Sequence, residues 1–192
     1  MELLKTNEIA GIDKDSQEYL KEFIKKNNCK KILEIGMADG MSSIAILSAL
    51  EEIEGTSLTS IDPYQKTFWS SNGLKNIEKM NLQKKHIFND NFDYIALPEL
   101  VKNNEKYDLI FVDGSHIYDH VILNNFYADI LLKVNGYLVN DDYWMPAIKK
   151  AYSYIKNNYP HYEEIETHRR FAPILKKKKE KEYLGWDYFT PF

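Results

Sequence analysis

The sequence predicts an α/β fold: a three-layer αβα sandwich built on a mostly parallel sheet. Three observations predict it. Five short apolar segments alternate with stretches of helical period. Several of those segments end on a glycine or an acid, as strands do where a ligand meets the sheet. One of them, Leu109 to Asp113, is a continuous apolar run of the kind found in a parallel strand buried on both faces.

Taken in order, Asp15 followed by Glu18 reads as a capping-box start, and Tyr19, Leu20, Phe23 and Ile24 give one apolar face to a first helix ending near Asn27–Asn28. Lys30 to Ile35 is a short strand closed by Gly36. From Gly40, Ile44, Leu47 and Leu50 repeat with helical period as far as Gly55, a helix terminator. Ser57 to Asp62 is a second strand, stopped by Pro63. A polar and aromatic stretch leads to a helix over Leu74 to Leu82. His86 to Phe88 is a third strand and Tyr94 to Lys102 a third crossover helix. After Leu109 to Asp113, Ile117 to Lys133 is helical, Gly136 to Asp142 is a fifth strand, and Pro146 opens a helix reaching Asn157. The last 35 or so residues lose the alternation and read as two β-strands around a lysine-rich turn. There is no internal repeat and no linker, so residues 1–192 are expected to form one domain.

Composition narrows the function classes. Hydrophobic residues at 44% and charged residues at 28% fit a globular chain rather than a disordered one. A formal net charge of −4 supplies no positive field for nucleic acid or an anionic membrane, and the run Lys176 to Lys181 reads as a solvated turn. Cys29 is the only cysteine, so neither a disulfide framework nor a cysteine-rich zinc site is available, which fits a reducing cytoplasm. Charges interrupt Met1 to Asp15 where a signal peptide would need an apolar core, and no run approaches the roughly 18 apolar residues of a membrane span.

The strand ends carry the chemistry. The first runs Glu34-Ile35-Gly36-Met37-Ala38-Asp39-Gly40-Met41-Ser42, where Gly36 and Gly40 let backbone approach a ligand and the next helix offers free N–H groups. Glycines are missing at Ala38 and Met41, so this is not the dinucleotide fingerprint, and there is no GxxxxGK phosphate loop. An acid before a glycine turn suits a ligand with a cationic end. Asp62 closes the second strand, where an acid can accept two ribose hydroxyls; it can equally open the Asp-Pro turn. Asp113-Gly114-Ser115-His116 and Asn140-Asp141-Asp142 follow the fourth and fifth strands. If those strands are neighbours, their ends lie about 4.8 Å apart, and the carboxylates can converge on a hard cation such as magnesium. Capping of the following helices by Asp113 and Asp142 is the structural alternative. His86, His120, His161 and His168 sit in no motif and read as structural.

With those residues in place, the chain resembles the class I S-adenosylmethionine-dependent methyltransferases. Within them it is similar to the small metal-dependent O-methyltransferases, both the macrocin-type macrolide-sugar branch and the catechol type. The resemblance covers nearly the whole chain and rests on ILEIGMADGMSS, SIDPYQ, LIFVDGSHIYDHV and GYLVNDDYW, with the tail FAPILKKKKEKEYLGWDYF resembling a closing β-hairpin. It implies a Rossmann-like, mostly parallel seven-stranded sheet with a C-terminal antiparallel hairpin. It implies that Glu34, Gly36, Gly40 and Ser42 shape the methionine end of the cofactor site, that Asp62 takes the ribose with Tyr64 nearby, and that Asn89 and Asp90 border the adenine. Asp113, Asp141 and Asp142 match the metal-binding acids. His116 falls where the macrolide-sugar enzymes place a general base and the catechol-type enzymes carry lysine.

The expected activity is methyl transfer from S-adenosylmethionine to a hydroxyl of a small molecule, a sugar or natural-product intermediate. Magnesium on Asp113, Asp141 and Asp142 would lower the hydroxyl pKa, and His116 would take the proton. The rivals are a metal-independent methyltransferase of the same fold and a non-catalytic cofactor-binding protein; the missing glycines argue against a nicotinamide oxidoreductase. A substrate lid would come from the N-terminal helix, the Gln65–Gly73 segment or another subunit, with a homodimer as the commonest assembly.

Overall fold

The computed structural model describes residues 11–182 and 184–192; the charged stretch over residues 1–10 and Tyr183 of the tail motif lie outside it. Seven strands form one sheet in the order β3-β2-β1-β4-β5-β7-β6. They are β1 (Lys31–Ile35), β2 (Ser57–Ile61), β3 (His86–Asn89), β4 (Tyr107–Val112), β5 (Leu132–Asn140), β6 (Tyr162–Glu166) and β7 (Ile174–Lys177). The first five run parallel, while β7 pairs antiparallel with both β5 and β6. The chain starts at β1, goes outward to β3, then crosses back to β4. This reversal places the ends of β1 and β4 side by side, the position where open parallel sheets bind ligands.

Helices cover both faces: α1 (Lys14–Lys26), α2 (Met41–Leu50) and α3 (Asn72–Lys79) on one, α4 (Asp93–Lys102), α5 (Tyr118–Leu131) and α6 (Pro146–Asn158) on the other. Two apolar clusters result. Ile32, Leu109 and Phe111 meet α1 and α2, and Leu33, Ile110 and Val112 meet the second helical layer, as the alternation of a doubly covered strand requires. Helix α2 is buried on nearly every side, and its sequence accordingly carries no charged residue. Among the described residues, no helix is long and apolar enough to cross a membrane.

The structure shifts three expectations. Asp13, not Asp15, caps α1, its side chain accepting from the Ser16 amide at 2.9 Å; Asp15 is instead held by Arg169 and His168. Strand β5 starts directly from α5 at Leu132, four residues before Gly136, because Leu132 pairs with Tyr107 and both are buried; a bulge opposite Asp108 then restores the register. The hairpin turn is not lysine-rich. It is formed by residues 167–173, and the lysines begin inside β7, where Lys177 is only 1% exposed and donates to the carbonyls of Asp129 and Leu132 and to Glu180. The outer strand β6 presents Glu163, Glu164 and Glu166, charges that discourage pairing with another chain at that edge.

Candidate active site

Strand β1 ends at Gly36, whose φ of +85° only glycine adopts without strain. A Cβ there would stand 2.2 Å from the Asp113 carbonyl oxygen, so the β1 and β4 ends approach to a separation that any side chain would forbid. Gly40, also left-handed, begins α2 and packs against Gly73. Asp62 braces the turn between them. Its Oδ2 accepts from the amides of Met37 (3.2 Å) and Ala38 (2.9 Å) and from Gln65 Nε2 (3.1 Å), while Oδ1 accepts from the Tyr64 amide at 2.8 Å.

Glu34, Gly40 and Ser42 support this turn from behind. The fully buried Glu34 carboxyl accepts from the hydroxyls of Ser42 (2.6 Å), Ser43 (2.5 Å) and Ser60 (2.6 Å), which ties the start of α2 to the sheet. Burial pushes its pKa up to about 7, against the lowering effect of the three hydroxyls. Ser60 Oγ also lies 3.0 Å from His86 Nε2, and burial lowers that imidazole to about 4. The His86 ring is therefore neutral at pH 7.

A cleft of about 350 Å³ opens over the turn. Of the expected residues, Gly36, Asp62, Tyr64 and Asp113 line it. Asn89 and Asp90 do not; they line a separate hollow, and Asp90 pairs with Lys66. Beside β3 the cleft is bordered instead by Phe92 and Asp93. Phe92 meets Tyr64 edge-on at 5.8 Å and stacks on Tyr94 at 5.1 Å. Trp69 from the Gln65–Gly73 segment forms another wall, and Gln65 pins that segment by donating to the Ala38 carbonyl at 2.6 Å. His120 lines the cleft too, although no motif marks it; it stands in the first turn of α5, four residues after His116. His161 and His168 lie elsewhere, paired with Asp129 (2.7 Å) and Asp15 (3.3 Å).

The acids after β4 and β5 meet at one edge of the cleft, joined by a residue that sequence reasoning missed. Arg170, from the β6–β7 loop, grips Asp141 with Nε on Oδ1 (2.7 Å) and Oδ2 (2.9 Å) and with Nη2 on Oδ2 (2.6 Å). The same Nη2 reaches Asp142 Oδ1 at 3.0 Å, where Trp144 Nε1 also donates. Asp142 Oδ2 faces His116 Nε2 at 3.0 Å. Burial works to raise Asp142, but His116 and Arg170 together hold it below the usual carboxylate range. Burial, then the Asp141 and Asp142 charges, push Asp113 well above that range. Burial also raises Asp141, against the pull of Arg170. One ligand atom each from Asp113, His116 and Asp142 falls within a 4.8 Å span, a set from which Asp141 is absent.

Comparison with known proteins gives the family. Over 127 residues, 62% of this chain, an uncharacterised protein of Acanthamoeba polyphaga mimivirus is 32% identical; this chain spans only 56% of that relative. An O-methyltransferase from Bacillus cereus, solved in complex with SAH, superposes with a TM-score of 0.73 at 16% identity, covering 87% of this chain and 81% of that one. The O-methyltransferase TomG from Streptomyces achromogenes, involved in tomaymycin synthesis and solved with SAM, gives 0.70 at 16% identity, covering 86% and 79%. At such identities these likenesses establish the fold. The model of the methyltransferase domain family matches residues 33–143, from within β1 to just past β5 and thus across the cleft-forming strand ends. With more than half of its length matched, the chain belongs to the methyltransferase domain family.

Proposed function

We propose that this chain transfers the methyl group of S-adenosylmethionine to a hydroxyl of a small molecule. The observation that carries the reading is the His116–Asp142 contact, set beside a half-buried acid, Asp113, on the wall of a glycine-turn cleft. Asp62 and Asp93 give the cleft an acidic lining suited to a ligand that bears an ammonium and a sulfonium. Among the described residues, Asp62 Oδ1 accepts from the Tyr64 amide alone, which keeps a lone pair for a ribose hydroxyl. Tyr64 and Phe92 offer flat apolar surface to a base. When bound, the donor supplies an electrophilic sulfonium methyl.

The proton chemistry belongs to the chain. With Nε2 turned to Asp142 at 3.0 Å, Nδ1 is the ring nitrogen left to accept a proton. As the substrate oxygen forms its bond to the methyl carbon and the carbon–sulfur bond breaks, the hydroxyl proton passes to Nδ1. Asp142 stabilises the imidazolium that results, as an oriented acid does for a histidine base. Ile117 and Trp144, 61% and 65% exposed, stand beside His116 and Asp142 as apolar surface for the ring of a sugar or natural-product acceptor.

The expected magnesium site does not fit this arrangement. A hard ion needs several oxygen ligands, yet both Asp141 oxygens and Asp142 Oδ1 already accept from Arg170. No step is therefore assigned to a metal.

Calorimetric titration of S-adenosylmethionine tests the cofactor, with Asp62→Asn as the shape-preserving control. Micromolar binding, weakened at least tenfold by Asp62→Asn, is expected; each tenfold corresponds to about 1.4 kcal/mol. Absence of binding to a folded protein would overturn the reading. With an acceptor in hand, His116→Ala should lower kcat roughly 100-fold or more and leave cofactor affinity unchanged.

A further inference from the structure

We infer that Arg170 is the resident cation of this site: it fills the charge-compensating role of a divalent ion between Asp141 and Asp142, so the site operates without metal. The inference rests on the reading of the cleft as a methyl-transfer site.

Three carboxyl groups, Asp113, Asp141 and Asp142, converge here, and Asp141 is buried with both oxygens facing the guanidinium. Arg170 is only 20% exposed, and its contacts form the two-toothed fork that a guanidinium makes with a carboxylate and a lysine cannot. Its placement is built in rather than adopted by a loose side chain. The Arg170 carbonyl accepts from the Tyr143 amide at 3.0 Å, and Ala172 donates to the Asn140 carbonyl at 2.9 Å, so the loop continues the sheet alongside Asn140 to Tyr143. Next to it, Arg169 pairs with Asp13 and Asp15 at the start of α1, which anchors the loop from the other side.

The consequence is a division of labour. Arg170 compensates the two acids behind the cleft, and Asp113 alone of the three carboxyl groups lines the cleft. An incoming ion would have to use Asp113, His116 and Asp142, and would strip His116 from the carboxylate that orients it.

Manganese ion, titrated calorimetrically into the wild type, Arg170→Met and Arg170→Lys, with S-adenosylmethionine as a second ligand, tests this. The wild type and Arg170→Lys should show no manganese binding below roughly 1 mM, and Arg170→Met should bind at least tenfold more tightly, because removing the guanidinium frees acidic oxygens. Manganese binding by the wild type at tens of micromolar, lost in Asp142→Asn, would overturn the inference whether or not Arg170→Met folds. So would a folded Arg170→Met with no gain in affinity. Failure of the wild type to bind S-adenosylmethionine would count against the methyl-transfer reading instead, and the manganese result would still stand.

Discussion

Replacing Glu34 with glutamine isolates the electrostatic cost of the acid beneath the glycine turn. Glu34 is fully buried, and burial lifts it from an ordinary 4.5 to about 7 in the folded chain. Below pH 4.5 the group is protonated in both folded and unfolded states and costs nothing. As pH rises through 7 the folded state must hold an ionised carboxylate in a buried position, and stability is lost across that window. At about 1.4 kcal/mol per tenfold, the gap corresponds to roughly 3 kcal/mol at pH 8. Glutamine fills the same space, still accepts from the serine hydroxyls through one oxygen, and does not titrate. Glu34→Gln should therefore gain up to about 3 kcal/mol on the wild type between pH 4.5 and 8. His86 acts in the opposite sense. Burial lowers it to about 4, so its stabilising neutral form is complete above 6.5 and fails as pH falls toward 4. That contribution is common to both proteins and cancels in the difference. Urea unfolding at pH 5, 6, 7 and 8 measures it. A difference constant to within about 0.5 kcal/mol across that range would refute the assignment of the buried charge to Glu34.

Other outcomes follow from the same geometry. Gly36→Ala forces a left-handed residue with its Cβ 2.2 Å from the Asp113 carbonyl oxygen. Strain and overpacking together should cost about 2–4 kcal/mol and abolish S-adenosylmethionine binding; a melting temperature within 2 °C of wild type (about 0.5–1 kcal/mol) would contradict this. Lys177→Met leaves the carbonyls of Asp129 and Leu132 without their donor and should cost about 2–4 kcal/mol. The exposed Lys179→Met should change stability by less than about 0.5 kcal/mol, and equal effects in denaturant titrations would show Lys177 to be another solvated lysine. Cys29 is buried, and burial pushes its thiol up to about 12, so a thiol-specific reagent at pH 8 should leave the native protein unlabelled for hours and label it fully in denaturant. Rapid native labelling would mean that the edge of the core near Asp108 opens readily.

The sequence by itself determined the elements, their order and the acidic strand ends. Those signals are local. Helical period, apolar runs such as Leu109 to Val112, and the glycines at 36 and 40 constrain backbone whatever surrounds them, so the α/β alternation, Asp62 and Asp113 were legible. Even the antiparallel pair at the end was legible as two strands, although its turn was not, because a lysine run looks solvated until Lys177 is seen buried against the end of α5. Only the tertiary structure shows what the acids touch. Arg170 is 29 residues from Asp141, and no period or motif connects them. Their meeting depends on β7 folding back against β5 and carrying its preceding loop over the ends of the parallel strands. The same holds for the cleft border, where Phe92 and Asp93 stand in place of Asn89 and Asp90. A side chain's partner across the sheet is fixed by strand pairing and burial, and those long-range contacts form only when the whole sheet does.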